Sequence, residues 1–246
     1  DPDGGSAGEP VLVSRFVPGI LAREALARLP ENEAEELGLA TGGALAAIGT
    51  VEFARSGFFA GADLQPRDET PPPGLAAPGL AAFVEYCLAT SRASRAKHPD
   101  HADQASHALT AQEEDALLRL AERSEPLIAG LPDVGQLVHS DYNPKNLIAA
   151  RRDGRWVIAA VLDWEFAFSG SPLNDVGNML RFQSEHPPRF SSAFVAGFAA
   201  AGGHLPDGWR EISGALDLFA LADLLTRPPG HRYLARAISA IRRRLS

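Results

Sequence analysis

The chain has 246 residues, 45% of them hydrophobic and 22% charged, which is long enough to bury a sizeable core and too apolar to stay disordered. A formal net charge of −8 argues against nucleic acid as a partner, because phosphate backbones are bound by excess Lys and Arg, and it suits a cationic ligand better. No apolar run of about 18 residues is present to span a membrane, the opening Asp1-Pro-Asp-Gly-Gly has no signal-peptide character, and the lone Cys87 fits a reducing compartment, so a cytoplasmic protein is expected.

Residues 1–10 are turn formers, and Val11-Leu-Val-Ser-Arg-Phe-Val17 alternates apolar and polar side chains, which predicts a strand closed by Pro18-Gly19. From Ile20 to about Ile48 leucines and alanines recur at helical spacing, with breaks expected near Pro30 and Gly42-Gly43. Arg55 to Gly79 is a Gly/Pro-rich connection. Two amphipathic helices follow, Ala81 to about Ala96 and Thr110 to Ile128, the second with acidic residues at its positive dipole end. Between them, His98, Asp100, His101, Asp103 and His107 could suggest a metal site, but nothing in the pattern aims them at a common point, and a solvated loop is the plainer expectation.

Gln136-Leu-Val-His139 reads as a short strand. A polar loop runs to Asn146, and Leu147–Ala150 and Trp156–Leu162 flank an Asp153-Gly154 hairpin signal. Helices are predicted over Pro172–Phe182, Phe190–Ala200, Trp209–Leu225 and His231–Leu245, the third nearly apolar and therefore central. Arg242 to Arg244, the one basic cluster, sits where cations offset the last helix's dipole.

Chemistry concentrates in Val138-His-Ser-Asp-Tyr-Asn-Pro-Lys-Asn-Leu147 and Val161-Leu-Asp-Trp-Glu165. Together they give His-x-Asp-x4-Asn and, 17 residues beyond Asn146, an Asp closing an apolar strand. Phosphoryl transfer needs a carboxylate to orient and deprotonate the acceptor hydroxyl, and oxygen ligands for Mg2+ on the nucleotide phosphates. Asp141 suits the first role, Asn146 and Asp163 the second. Lys145 could neutralise charge on the transferring phosphate or be a surface lysine, and Glu165 is either a further metal or substrate contact or, the plainer reading, a salt-bridge partner. Ser140 as a hydrolase nucleophile finds neither an elbow motif nor a separate His and Asp.

These residues resemble the aminoglycoside phosphotransferase and choline kinase family, which has a protein-kinase-like fold. The resemblance implies Asp141 as catalytic base, magnesium on Asn146 and Asp163, His139 propping the loop from inside, and Asp175 of Asn174-Asp-Val-Gly-Asn178 tying down loop backbone. It further implies a hinge at Ser14 to Val17, where Ser14 and Phe16 would meet the adenine of ATP (or GTP) through main chain. The expected fold is α+β and mostly helical, the C-terminal lobe of a protein-kinase-like fold with a small β-hairpin carrying the catalytic loop. Residues 1–19 would be a remnant of the N-terminal lobe and hinge strand, and 20–246 the helical catalytic lobe.

The family's upper lobe brings a Gly-rich loop and a strand lysine. Nothing before Val11 supplies these, Lys97 and Lys145 are the only lysines, and the single methionine is the internal Met179. The sequence therefore reads as part of a longer enzyme, able to keep metal and acceptor sites while holding nucleotide poorly. The expected function is transfer of the γ-phosphate to a hydroxyl of a small, cationic acceptor resembling an aminoglycoside or choline, with Asp100, Asp103, Glu113 and Glu114 as candidate acids near it. The competing reading is a catalytically incompetent binding module of the same fold.

Overall fold

The computed structural model describes residues 14–59, 61, 63–67, 79–97, 108–133 and 135–246. The chain enters as an extended segment to Pro18 and forms a two-residue strand, β1 (Ile20–Leu21), followed by α1 (Ala22–Leu26) and α2 (Glu31–Ile48). The strand expected over Val11–Val17 is corrected: residues 11–13 lie outside the described set, and 14–18 have no regular secondary structure. No described strand pairs with that segment, and its apolar alternation meets no core, Phe16 being 84% exposed.

Pro30 separates α1 from α2 as anticipated, but Gly42-Gly43 does not break α2. The glycines serve packing instead. A Cβ on Gly42 would stand 2.0 Å from the Phe194 carbonyl oxygen and 2.4 Å from the Phe198 nitrogen, and one on Gly197 would stand 2.3 Å from the Leu39 carbonyl oxygen. Phe194, Gly197 and Phe198 belong to α6 (Pro188–Ala200). The two helices thus touch backbone to backbone, a gain in close-packed contact that outweighs the low helix propensity of glycine.

The Gly/Pro-rich connection contains a small hairpin, β2 (Gly57–Phe59) and β3 (Pro66–Arg67). Helices α3 (Leu80–Ala96) and α4 (Ala111–Ala129) follow. Thr110 caps α4 in a reciprocal capping box with Glu113, the arrangement that satisfies two orphan N–H groups at once. Residues 98–107, with the three histidines and two aspartates of the loop, lie outside the described set.

Next come β4 (Gln136–Val138), the pair β5 (Leu147–Arg152) and β6 (Arg155–Val161), and β7 (Phe168–Gly170). The β5–β6 turn has Asp153 at φ 51° and Gly154 at φ 77°, the two positive values that a primed hairpin turn requires. One sheet runs β1-β5-β6 and the other β3-β2-β7-β4. The chain then adds α5 (Leu173–Leu180), α6, α7 (Trp209–Leu225) and α8 (Leu234–Leu245). As the apolar pattern predicts, α7 is central, packing against α3, α4, α5 and α8.

Two apolar clusters result. One joins α2, α6 and the hairpin through Leu37, Phe190 and Phe194, and the other joins α3, α4, α7 and α8 through Val84, Leu117 and Leu221. Cys87 lies in the second, where burial pushes its thiol up to about 12 and leaves it unreactive. Among the described residues no helix is long and apolar enough to cross a membrane.

Candidate active site

The loop between β4 and β5 is anchored from below by one carboxylate. Asp175, in the first turn of α5 and wholly buried, accepts the His139 main-chain N–H at 2.7 Å and the Ser140 N–H at 2.8 Å. Ser140 is held at φ 70°, a conformation unusual for a residue with a side chain. Burial pushes the Asp175 carboxyl up to about 7, against the opposing pull of the main-chain N–H groups it accepts.

His139 stitches the loop to the strand end that carries Asp163. Burial lowers its pKa, so the ring is neutral and its two nitrogens divide the work. Nε2–H donates to the Leu162 carbonyl at 2.8 Å, while Nδ1 accepts the Asp141 N–H at 3.2 Å. Leu162 in turn donates its N–H to the Asn146 carbonyl at 2.8 Å. The backbone before Asp163 is thereby bonded both to the loop histidine and to Asn146.

Asp141 sits at the centre of the loop's polar contacts. Its Oδ1 accepts from Asn143 Nδ2 at 2.7 Å, and its Oδ2 accepts from Asn146 Nδ2 at 2.9 Å and pairs with Lys145 Nζ at 2.9 Å. Asn146 also donates to the Asp141 main-chain oxygen at 3.0 Å, so its amide nitrogen is committed and its Oδ1 remains as the donor atom for a cation. Asp163 adopts φ 65° and its carboxylate is exposed, without a hydrogen bond to any described residue. These two hard oxygen donors could hold Mg2+, which keeps several waters and takes only one or two protein ligands. Among the described residues no group of three or more His, Cys, Asp or Glu side chains could hold a metal.

Tyr142 is the loop's contact with the first cluster: fully buried, it donates its hydroxyl to the Thr41 carbonyl of α2 at 2.8 Å. Asp141, Asn143 and Lys145 open onto a cavity of about 290 Å³ whose far wall is Asn178, Arg181, Phe182, Glu185 and Tyr233. Asn178, three residues after Asp175 in α5, donates Nδ2 to Asp217 at 3.2 Å. Arg181 donates to the same oxygen at 2.8 and 2.5 Å.

Asn178, Arg181 and Asp217 were not singled out by the sequence reading. The available signal was the helical spacing of polar residues from Asp175 onward along an otherwise apolar face. Ser14 and Phe16 are exposed, lie before β1 and do not line the cavity. Glu165 is exposed and has no salt bridge to a described residue. Glu113 and Glu114 are not at the cavity, being paired with Arg242 and with Arg92 and Arg95 on other faces, and Asp100 and Asp103 lie outside the described residues.

The sequence matches the family described as Phosphotransferase enzyme family, APH, over residues 1–214. The chain belongs to this family. Among solved structures, a thermostable mutant of aminoglycoside phosphotransferase APH(4)-Ia, in ternary complex with AMP-PNP and hygromycin B, is 18% identical with a TM-score of 0.57, over 93% of this chain and 70% of that one. Aminoglycoside-3'-phosphotransferase of type VIII is 17% identical with a TM-score of 0.50, over 83% of this chain and 66% of that one. At such identities the likeness establishes a common fold, the kinase-like architecture of these phosphotransferases. A comparison with curated protein sequences finds no match.

Proposed function

We propose that this phosphotransferase-family chain carries the acceptor and metal side of an ATP-dependent (or GTP-dependent) transfer to a hydroxyl of a small molecule. The acceptor hydroxyl would enter the cavity beside Asp141, whose carboxylate orients it and takes its proton as the oxygen bonds to the γ-phosphorus. The bond from that phosphorus to the β,γ-bridging oxygen breaks, and the nucleoside diphosphate leaves with the electron pair. Asn146 Oδ1 and the Asp163 carboxylate would hold Mg2+, which when bound offsets charge on the phosphate oxygens.

Lys145, 2.9 Å from the Asp141 carboxylate, would stand near the phosphate in transit and offset its charge. His139 serves as a neutral strut rather than an acid or base. The observation that supports this reading is the hydrogen-bonded ring through Asp141, Asn146, Leu162 and His139, which ties the loop bearing Asp141 and Asn146 to the backbone next to Asp163.

Net charge bears on how an amine-bearing alcohol approaches the whole molecule, whereas binding is decided by the charges lining the cavity. The reading is tested by following Mg2+-dependent release of ADP from ATP with a panel of small alcohols. Asp141→Asn should lower turnover by about 10²- to 10⁴-fold, the usual contribution of a positioned base. Unchanged turnover in that variant would overturn the assignment.

A further inference from the structure

Resting on that phosphotransferase reading, we propose that the cavity takes a small acceptor carrying an anionic group, a carboxylate or phosphate, beside its hydroxyl. The lining is opposite in sign to the molecule: four cationic side chains, Arg23, Lys145, Arg181 and Arg236, face two carboxylates, Asp141 and Glu185, in a chain of net charge −8.

Pairing leaves part of that charge uncompensated. Lys145 is matched by Asp141, and Arg236 by Glu185 at 2.6 Å. Arg181 is bound to Asp217, but the same carboxylate also binds Arg244 at 2.5 Å, so that trio keeps one net positive charge. Arg23 is exposed and has no ion pair with any described side chain. An acceptor bearing several ammonium groups would meet like charge on both sides, whereas an anion would complete both.

Size is compatible with a small acceptor: about 290 Å³ lies just below the range of about 300–1,000 Å³ for small-molecule sites.

The test ranks ligands that differ only in charge. Calorimetry on the intact chain compares D-glucuronate, D-glucose and D-glucosamine, with glycerate, glycerol and serinol as a second trio. The expected order in each trio is anion, neutral, cation, with the anion about tenfold tighter than the neutral compound. Arg23→Gln, an exposed change that leaves the core intact, should weaken the anion several-fold and leave the neutral compound unmoved. A cation that binds as tightly as the anion, an anion indifferent to Arg23→Gln, or no binding in either trio overturns the proposal. The ranking is read without nucleotide, so a chain that transfers no phosphate still returns it, and a failed ranking leaves ADP release to judge the phosphotransferase reading separately.

Discussion

The Asp175 carboxylate holds the His139 main-chain N–H at 2.7 Å across a gap of 36 residues, and its other oxygen holds the N–H of Ser140. One side chain from α5 therefore shapes the entry to the loop that bears Asp141. Asp175→Ala strands one buried and one part-buried donor, each costing up to about 1–3 kcal/mol. A loss of about 2–4 kcal/mol in urea unfolding is expected, with Asp175→Asn, which keeps one acceptor oxygen, losing roughly half. A loss under 1 kcal/mol in Asp175→Ala would mean that the loop holds its shape by other means.

The same residue predicts a pH dependence. The folded carboxyl is raised to about 7, while in the unfolded chain it titrates near 4. Between these values the folded state keeps a proton that the unfolded state has lost, so this group's contribution to stability falls as pH rises from about 4 to 7 and is level outside that window. Unfolding free energies measured from pH 4 to 8 should show wild type declining relative to Asp175→Asn across the window. Parallel profiles for the two proteins would show that the carboxyl is ionised in the fold throughout.

Much of this was written in the sequence where local rules decide. The helix Trp209–Leu225, the Asp153-Gly154 turn and the run from His139 to Asn146 depend on periodicity, positive φ and motif spacing, which neighbouring residues determine. The strands β2, β3 and β7 do not: at two or three residues each, they are strands only because distant segments pair with them, as Phe58 does with Phe168. Gly42-Gly43 looked like a helix break because propensity was weighed without α6, and Val11–Val17 looked like a strand because alternation carries no guarantee of a partner. Asp217 escaped notice for a related reason, since its role in the cavity wall depends on Asn178 and Arg181 from another helix.

Two adjacent glycines in α2 should respond in opposite directions. At Gly42 a methyl group would meet α6 backbone at 2.0 Å, whereas at Gly43 the nearest heavy atom, the Ala201 side chain, is 4.0 Å away. Gly43→Ala should therefore gain about 0.5–1 kcal/mol from helix propensity. Gly42→Ala should lose about 1–3 kcal/mol or more, because backbone cannot move aside as a flexible side chain can. Thermal unfolding of the two variants gives the signs directly, and stabilisation by Gly42→Ala would show that α2 and α6 are further apart than described.

Asp163 separates metal binding from folding more cleanly than Asn146, which is buried and bonded to Asp141. Its exposed carboxylate makes no hydrogen bond to a described residue, and its backbone sits at φ 65°, where asparagine is as much at home as aspartate. Asp163→Asn should accordingly leave unfolding free energy within about 0.5 kcal/mol of wild type, as surface changes usually do. It removes one of the two proposed magnesium donors' charge, so the increment in ATP affinity that Mg2+ provides should fall by about tenfold or more, equivalent to about 1.4 kcal/mol. Calorimetric titrations of ATP with and without Mg2+ on both proteins measure that increment. An equal increment in wild type and variant would remove Asp163 from the metal site, and a variant with collapsed stability would make the residue structural instead.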